Sequence, residues 1–387
     1  MSDPIPLAVP CLSGREWEYV KQCLDTNAVA AAGDFVPRLE RAVADFLGVP
    51  YAAAFASGSA ALHLAMRVAG LGAGDAAIVP DFTFVAPANA LRYCGATPIF
   101  VDIDPATASI APAEVEELLR ARCERRGDGT VVHRDSGLRV KALVVVHLYG
   151  HPADLDPLRA LAREYGLVVV DDAAECLGAR YRGTRVGADS ELACLSFNGN
   201  KVVTAGAGGM VVSTREDLVR RARHLGGQAK AHPTDYLHDD VGYNYRLPNI
   251  NAALGLAQVE VLEQHLARKR QIAAAYARGL ADVRGLSLMG EQPWATSSFW
   301  LNTAVVAPDA FGRTAAEVVG ALRSRGIEAR RVWPPLHLQA PFRDCPALGT
   351  ARSEWLFAHA LNLPSSVGIR DDEIARVVGE IRSLARG

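Results

Sequence analysis

The chain has 387 residues, of which 50% are hydrophobic and 22% charged, so it can bury a large core and is not a disordered polymer. Lys and Arg (41) nearly balance Asp and Glu (43), for a formal net charge of -2, which excludes a general attraction to nucleic acid or to an anionic membrane. Any anion must be held locally.

The opening stretch MSDPIPLAVP has neither the basic flank nor the apolar run of a secretory signal, and no apolar segment reaches the about 18 residues that could span a bilayer. A cytosolic enzyme is the expectation. YAAAFA then leads as a strand into ASGSAALHLAMRVAG (56–70), where Gly58, Ser59 and Ala60 open a helix. Backbone N–H groups at a helix N-terminus beside a hydroxyl make a seat for a phosphate, although Ser and Gly also cap ordinary helices. TPIFVDI (97–103), KALVVV (141–146), GLVVVD (166–171) and LACLS (192–196) read as strands buried on both faces, with helical spacing over 111–123 and 155–166 between them. That is the pattern of a mostly parallel sheet covered by helices, and ligands of such sheets collect at the carboxyl ends of the strands. The polar interval 125–139 reads as an inserted surface loop.

The strand GLVVVD ends in two acids, Asp171 and Asp172. Strand side chains alternate, so only one of them can face a given ligand; a helix N-cap is the competing reading. LSFNGNKVVTAGAGG (195–209) places Ser196 at a strand end and Lys201 among glycines that let the backbone approach a bound group. A lysine there can form a Schiff base if its surroundings favour the neutral amine. DDVGYNYRLPNINAALGLAQ (239–258) sets Asn244 and Arg246 among aromatics before a long helical pattern over 249–280. WLNTAVV (300–306) as a strand and helices near 315–325 and 371–386 are enough for a compact terminal domain. The seven cysteines are scattered, odd in number and without a CxxC pair, so they are expected to be ordinary reduced residues, with no metal site or disulfide framework.

The segments PLAVPCLSGREWEYVKQCLDTNAVAAAGDFVPRLE, SGSAALHLA, DFTFVAPANALRYCGATPIFVDID, VVHLYGHPADLD, DDAAECLGARYRG, SFNGNKVVTAGAGGM, GYNYRLPNINAALGLAQ, RRVWPPLH and LNLPSS resemble, in order and spacing over nearly the whole chain, the fold-type I aminotransferases of the DegT/StrS nucleotide-sugar group. The resemblance implies a fold-type I α/β transferase, with a mostly parallel central sheet flanked by helices and a smaller C-terminal α/β domain. A large pyridoxal phosphate domain over 1–248 would precede a bridging helix and small domain over 249–387.

By the same resemblance, Lys201 matches the lysine that links pyridoxal phosphate as a Schiff base, and Asp172 the acid on the pyridine nitrogen, whose charge keeps that nitrogen protonated. Gly58, Ser59, Ala60 and Ser196 match the phosphate seat, and Phe84 the aromatic stacked on the ring. Glu175 stands opposite the ring hydroxyl, where many relatives have His or Gln. That departure is expected to alter the absorption of the bound cofactor. Asn244 matches a residue that reaches the phosphate of the neighbouring subunit, which implies a homodimer with shared sites. Arg246 and Arg330 are expected near a diphosphate or the donor carboxylate, and His337 near the nucleotide.

The implied reaction moves the amino group of L-glutamate to the C4 keto group of a nucleotide-linked 4-keto-6-deoxy sugar, in the cytoplasm and with no nucleic acid or membrane partner. SFNGNK, QAK (228–230), YLHDDVGYNYRLPNINAALG and FWLN (299–302) look most like the branch acting on UDP-4-keto-6-deoxy-N-acetylhexosamines. GDP- or dTDP-linked 4-keto-6-deoxyhexoses of the perosamine type are the alternative. A sugar dehydratase, whose lysine is replaced by histidine, conflicts with Lys201. A non-catalytic cofactor-binding regulator would need a DNA-binding element that the sequence does not show.

Overall fold

The computed structural model describes residues 3–12, 14–232 and 234–385. In the strand Asp75–Pro80, Ala77 and Val79 enter one apolar cluster while Ala76 and Ile78 enter another. Ala142 and Val144 part from Leu143 and Val145 in the same way along Arg139–Val146. Successive side chains leave a strand on opposite faces, so the unbroken apolar runs are what strands sandwiched between two helical layers require.

Across the main sheet the strands lie in the order Tyr51–Phe55, Gly209–Ser213, Leu192–Ser196, Val168–Asp172, Arg139–Val146, Asp75–Pro80, Thr97–Val101 and Ala347–Leu348. Pairing is parallel from Leu192–Ser196 onward. Gly209–Ser213 is antiparallel to both of its neighbours. The strands ending at Phe55, Pro80, Val146, Asp172 and Ser196 therefore finish on one edge, and the helix Gly58–Val68 begins there.

The structure corrects the reading of 125–139 as a loop. Cys123–Arg125 and Val131–His133 form a hairpin that extends the sheet beside Arg139–Val146. Val131 and Val132 are buried, but two apolar residues are too few to show a strand's period. The helical pattern over 111–123 is an α-helix, Pro112–Glu117, that runs into one wider π-type turn, Leu118–Arg122. The pattern over 249–280 is two helices, Asn249–Glu260 and Leu262–Leu280, broken at Val261.

Asn249–Glu260 buries Ala252, Ala253 and Leu256 in the core of the main sheet. Leu262–Leu280 contributes Ile272, Tyr276 and Leu280 to a second core. That core is completed by helices Ala315–Ser324 and Asp371–Leu384 and by a four-stranded antiparallel sheet of Leu286–Leu288, Asn302–Val306, Ala360–Leu363 and Arg330–Arg331. Position 386 of the expected last helix lies outside the described residues. No described helix is long and apolar enough to cross a membrane.

Candidate active site

At the shared edge of the sheet lies a cavity of about 420 Å³, walled by residues of the main-sheet core and by Arg330, Arg331 and Asn362 of the four-stranded sheet. Gly58, Ser59, Phe84, Asp172, Glu175, Ser196, Lys201 and Arg330, all anticipated from the sequence, are on its wall.

The two acids at the end of Val168–Asp172 divide as strand alternation demands. Asp172 reaches the cavity. It is buried, and its Oδ1 accepts from the Ala174 N–H at 3.1 Å. Burial pushes its carboxyl above the usual range, against the pull of that N–H and of Lys201. Asp171 turns the other way and accepts from Ser190 Oγ (2.5 Å), with His147 Nε2 at 3.3 Å and Arg159 at 3.9 Å. Burial raises Asp171 too, but His147, Ser190 and Arg159 outweigh it and hold the carboxyl low.

Lys201 Nζ lies 3.2 Å from Glu175 Oε1 and 3.9 Å from the centre of the Trp300 ring. The other Glu175 oxygen accepts the Tyr149 N–H at 2.9 Å. Burial pushes Glu175 upward, and Lys201 and that N–H oppose the shift. Tyr149 has φ 55°, a left-handed conformation unfavourable for a non-glycine residue. Next to it Gly150 has φ 96°, and a Cβ there would come within 2.6 Å of Ser298 Oγ and the Trp300 N–H. The turn in VVHLYGHPADLD thus aims a backbone donor at Glu175 and makes room for the segment that carries Trp300.

Beside the lysine, Ser57 caps the helix Gly58–Val68 by accepting from the Ala60 N–H at 3.0 Å. The Ala61 N–H goes to Ser57 O. Among the described residues the N–H groups of Gly58 and Ser59 have no such acceptor, and a helix N-terminus of this kind attracts an anion. A Cβ on Gly58 would lie 2.9 Å from Ser196 Cβ, so glycine lets the helix start meet the Ser196 strand end. Thr83 Oγ1 is buried at the cavity wall without a partner among the described residues.

An anion seat, a buried carboxylate with spare hydrogen-bonding capacity, an amine and an orphan hydroxyl around one cavity fit pyridoxal phosphate. Lys201, Asp172, Ser59 and Ser196 are the residues that would hold it. Among the described residues no cluster of His, Cys, Asp and Glu could hold a metal.

Four anticipated residues sit elsewhere. Ala60 is buried and its N–H is spent on Ser57, so the seat is formed by Gly58 and Ser59 instead. His337 is fixed by the buried Asp81, through its own N–H (2.9 Å) and Nδ1 (2.6 Å), with Glu354 3.4 Å from Nε2. Asn244 and Arg246 are exposed, in bridges to Gly227 and Phe55, and do not line the cavity of their own chain. Conversely, Thr83, Trp300, Arg331 and Trp333 are on the wall and were not anticipated. Trp300 and Trp333 lie in FWLN and RRVWPPLH, stretches whose resemblance is plain but whose individual roles no local pattern reveals.

Residues 10–382 match the model of the DegT/DnrJ/EryC1/StrS aminotransferase family. The chain is 37% identical over 383 residues to the GDP-perosamine synthase of Caulobacter vibrioides, covering 97% of each protein. It is 34% identical over 383 residues to the GDP-perosamine synthase of Escherichia coli O157:H7, covering 98% of each. The crystal structure of DesI in the presence of its TDP-sugar product superposes with a TM-score of 0.88 at 30% identity, over 99% of this chain and 93% of that one. With its fold, its lysine-bearing cavity and these relatives in agreement, the chain belongs to the DegT/DnrJ/EryC1/StrS aminotransferase family, the pyridoxal phosphate-dependent sugar aminotransferases.

Proposed function

We propose that this enzyme transfers the amino group of L-glutamate to the C4 keto group of a GDP-linked 4-keto-6-deoxyhexose, a perosamine-type reaction that leaves 2-oxoglutarate and the 4-amino sugar. The observation that carries the choice of sugar is full-length similarity to relatives named GDP-perosamine synthase, at 37% and 34% identity. It favours the GDP-linked alternative over the UDP-linked N-acetylhexosamine first expected from the sequence. PseC of Helicobacter pylori, an aminotransferase involved in the biosynthesis of pseudoaminic acid, is 22% identical and supports the fold alone.

When bound, pyridoxal phosphate supplies an electron sink for charge developing at the donor carbon. Lys201 would carry the cofactor and then, as a free amine, take the proton from the α-carbon of glutamate and return a proton at C4 of the sugar. Its Nζ is already held between Glu175 and the Trp300 face. Asp172 would hold a proton at the pyridine nitrogen, an interaction that rewards its ionised form and offsets the burial penalty. The N–H groups of Gly58 and Ser59, with the Ser196 hydroxyl, would bind the phosphate.

Arg330 and Arg331 bring two cations to the cavity wall, suited to a diphosphate or to the donor carboxylate. Glu328 accepts from Arg330, and Arg331 lies over the Phe357 ring at 3.9 Å. The exposed position of Asn244 supports the reading that it serves the partner's site in a homodimer, as does that of Arg246. The test is a panel of GDP-, dTDP- and UDP-linked 4-keto-6-deoxy sugars assayed with glutamate. The highest kcat/KM is expected for the GDP sugar; a UDP-linked N-acetyl sugar turning over faster would refute the assignment.

A further inference from the structure

The helix Leu262–Leu280 carries a lysine, Lys269, that no step above uses. It is 3% exposed, at the seam between the two cores, and its Nζ donates to two backbone carbonyls, Trp300 O at 2.9 Å and Ser365 O at 2.5 Å. Burial alone pulls its amine down to about 7. A neutral amine has two hydrogens, one for each carbonyl.

Both carbonyls belong to segments that border the cavity: Trp300 is on its wall, and Ser365 lies three residues beyond Asn362, which is too. Ser365 Oγ accepts from Asn302 N and Nδ2, each at 3.0 Å, and the Ser365 N–H reaches Leu7 O at 2.7 Å, beside the cavity. Tyr276, on the same helix, donates to Pro364 O at 2.8 Å. The other segment is strained: Phe299 has φ 47°, a conformation that persists only where surrounding contacts over-determine it. That turn points the carbonyl of Trp300 at Lys269 and its indole at the site. Trp300 Nε1 donates to Asn200 O at 2.6 Å, next to Lys201 in the chain, and the ring faces Lys201 Nζ at 3.9 Å.

We propose that Lys269 is a positioning residue of the active site: by holding the carbonyl of Trp300 it fixes the indole against Lys201 and so sets the electrostatic environment of the lysine that carries the cofactor. Lys269 touches neither substrate nor cofactor; its effect passes through Trp300. The inference rests on the reading of Lys201 as the cofactor lysine.

The test is a spectroscopic double-mutant cycle on the full-length, cofactor-loaded protein. An aromatic face stabilises a cation beside it, so its loss favours deprotonation. Lys269→Met is expected to lower the pH midpoint of the visible band by about half a pH unit. Trp300→Leu is expected to lower it similarly, and Lys269→Met added to Trp300→Leu should produce no further shift, because the two act through one contact. If Lys269→Met does not fold, Lys269→Gln, whose amide reaches less far, takes its place in the same cycle. An unchanged midpoint in the Lys269 variant, or an equal shift with and without Trp300, overturns the proposal while leaving the assignment of Lys201 intact. A wild-type protein that shows no lysine-dependent visible band overturns both.

Discussion

Asp171 and Asp172 are adjacent in sequence and equally buried, yet replacing each by asparagine should damage different properties. In Asp172→Asn the side chain keeps its place at the cavity wall and loses the charge that would hold a proton on the pyridine nitrogen. Removing one such preorganised interaction costs roughly 3–4 kcal/mol of transition-state stabilisation, or about 10²–10³ in kcat. Stability should not suffer, because burial already disfavours the ionised Asp172 in the cofactor-free protein, and a neutral amide relieves that penalty. Asp171→Asn removes the anion that Ser190, His147 and Arg159 surround. It should cost about 1.5–3 kcal/mol of stability and, in the protein that still folds, only a few-fold in kcat. Steady-state turnover with saturating cofactor and urea unfolding of the cofactor-free protein measure the two effects separately. Similar losses of kcat in both variants, or a destabilised Asp172→Asn, would show that the wrong carboxylate faces the ring.

Glu175→Gln removes a negative charge 3.2 Å from Lys201 Nζ, so the pH midpoint of the visible band should fall by about one unit; an unchanged midpoint would mean that Glu175 is protonated in the loaded enzyme. If the enzyme is a homodimer with shared sites, mixing Lys201→Ala and Asn244→Ala chains should regain activity at cofactor concentrations too low for the protein with Asn244→Ala in every chain, because one site then receives both intact residues. No recovery after verified subunit exchange would assign Asn244 to its own chain. Burial pulls the Lys269 amine down to about 7 in the folded chain, against about 10.4 when unfolded. Between these values the unfolded chain binds more protons, so stability rises with pH. Wild type should therefore gain on Lys269→Met by up to about 1.4 kcal/mol per unit between about pH 7 and 10, and a pH-independent difference in urea unfolding would contradict this.

The sheet was legible where burial on both faces leaves an unbroken apolar run: LACLS is a strand over the residues read, Leu192–Ser196. It was not legible at Val131–His133, whose pairing with Arg139–Val146 compensates for a short, polar-flanked sequence. The break at Val261 was hidden because helical spacing continues on both sides: Leu262 and Leu266 still join the core of the main sheet, and only from Ile272 onward does the second helix enter the other core. Asp172 and Ser196 end parallel strands on one edge, where ligands collect, and Lys201 follows in the same stretch; their roles were found through the family resemblance of the segments that hold them. Trp300, Trp333 and Arg331 enter from the far end of the chain, where position comes from packing and from a strained turn at Phe299. No period in the sequence encodes that arrangement.

In the proposed reaction Lys201 works in both halves of an amino transfer from glutamate to a GDP-linked 4-keto sugar. Stopped-flow absorbance on the cofactor-loaded enzyme tests this, with glutamate added first and GDP-4-keto-6-deoxyhexose second. The visible band should disappear on the first addition and return on the second, in wild type and not in Lys201→Ala. A band that glutamate leaves unchanged, or that the sugar fails to restore, would contradict the claim.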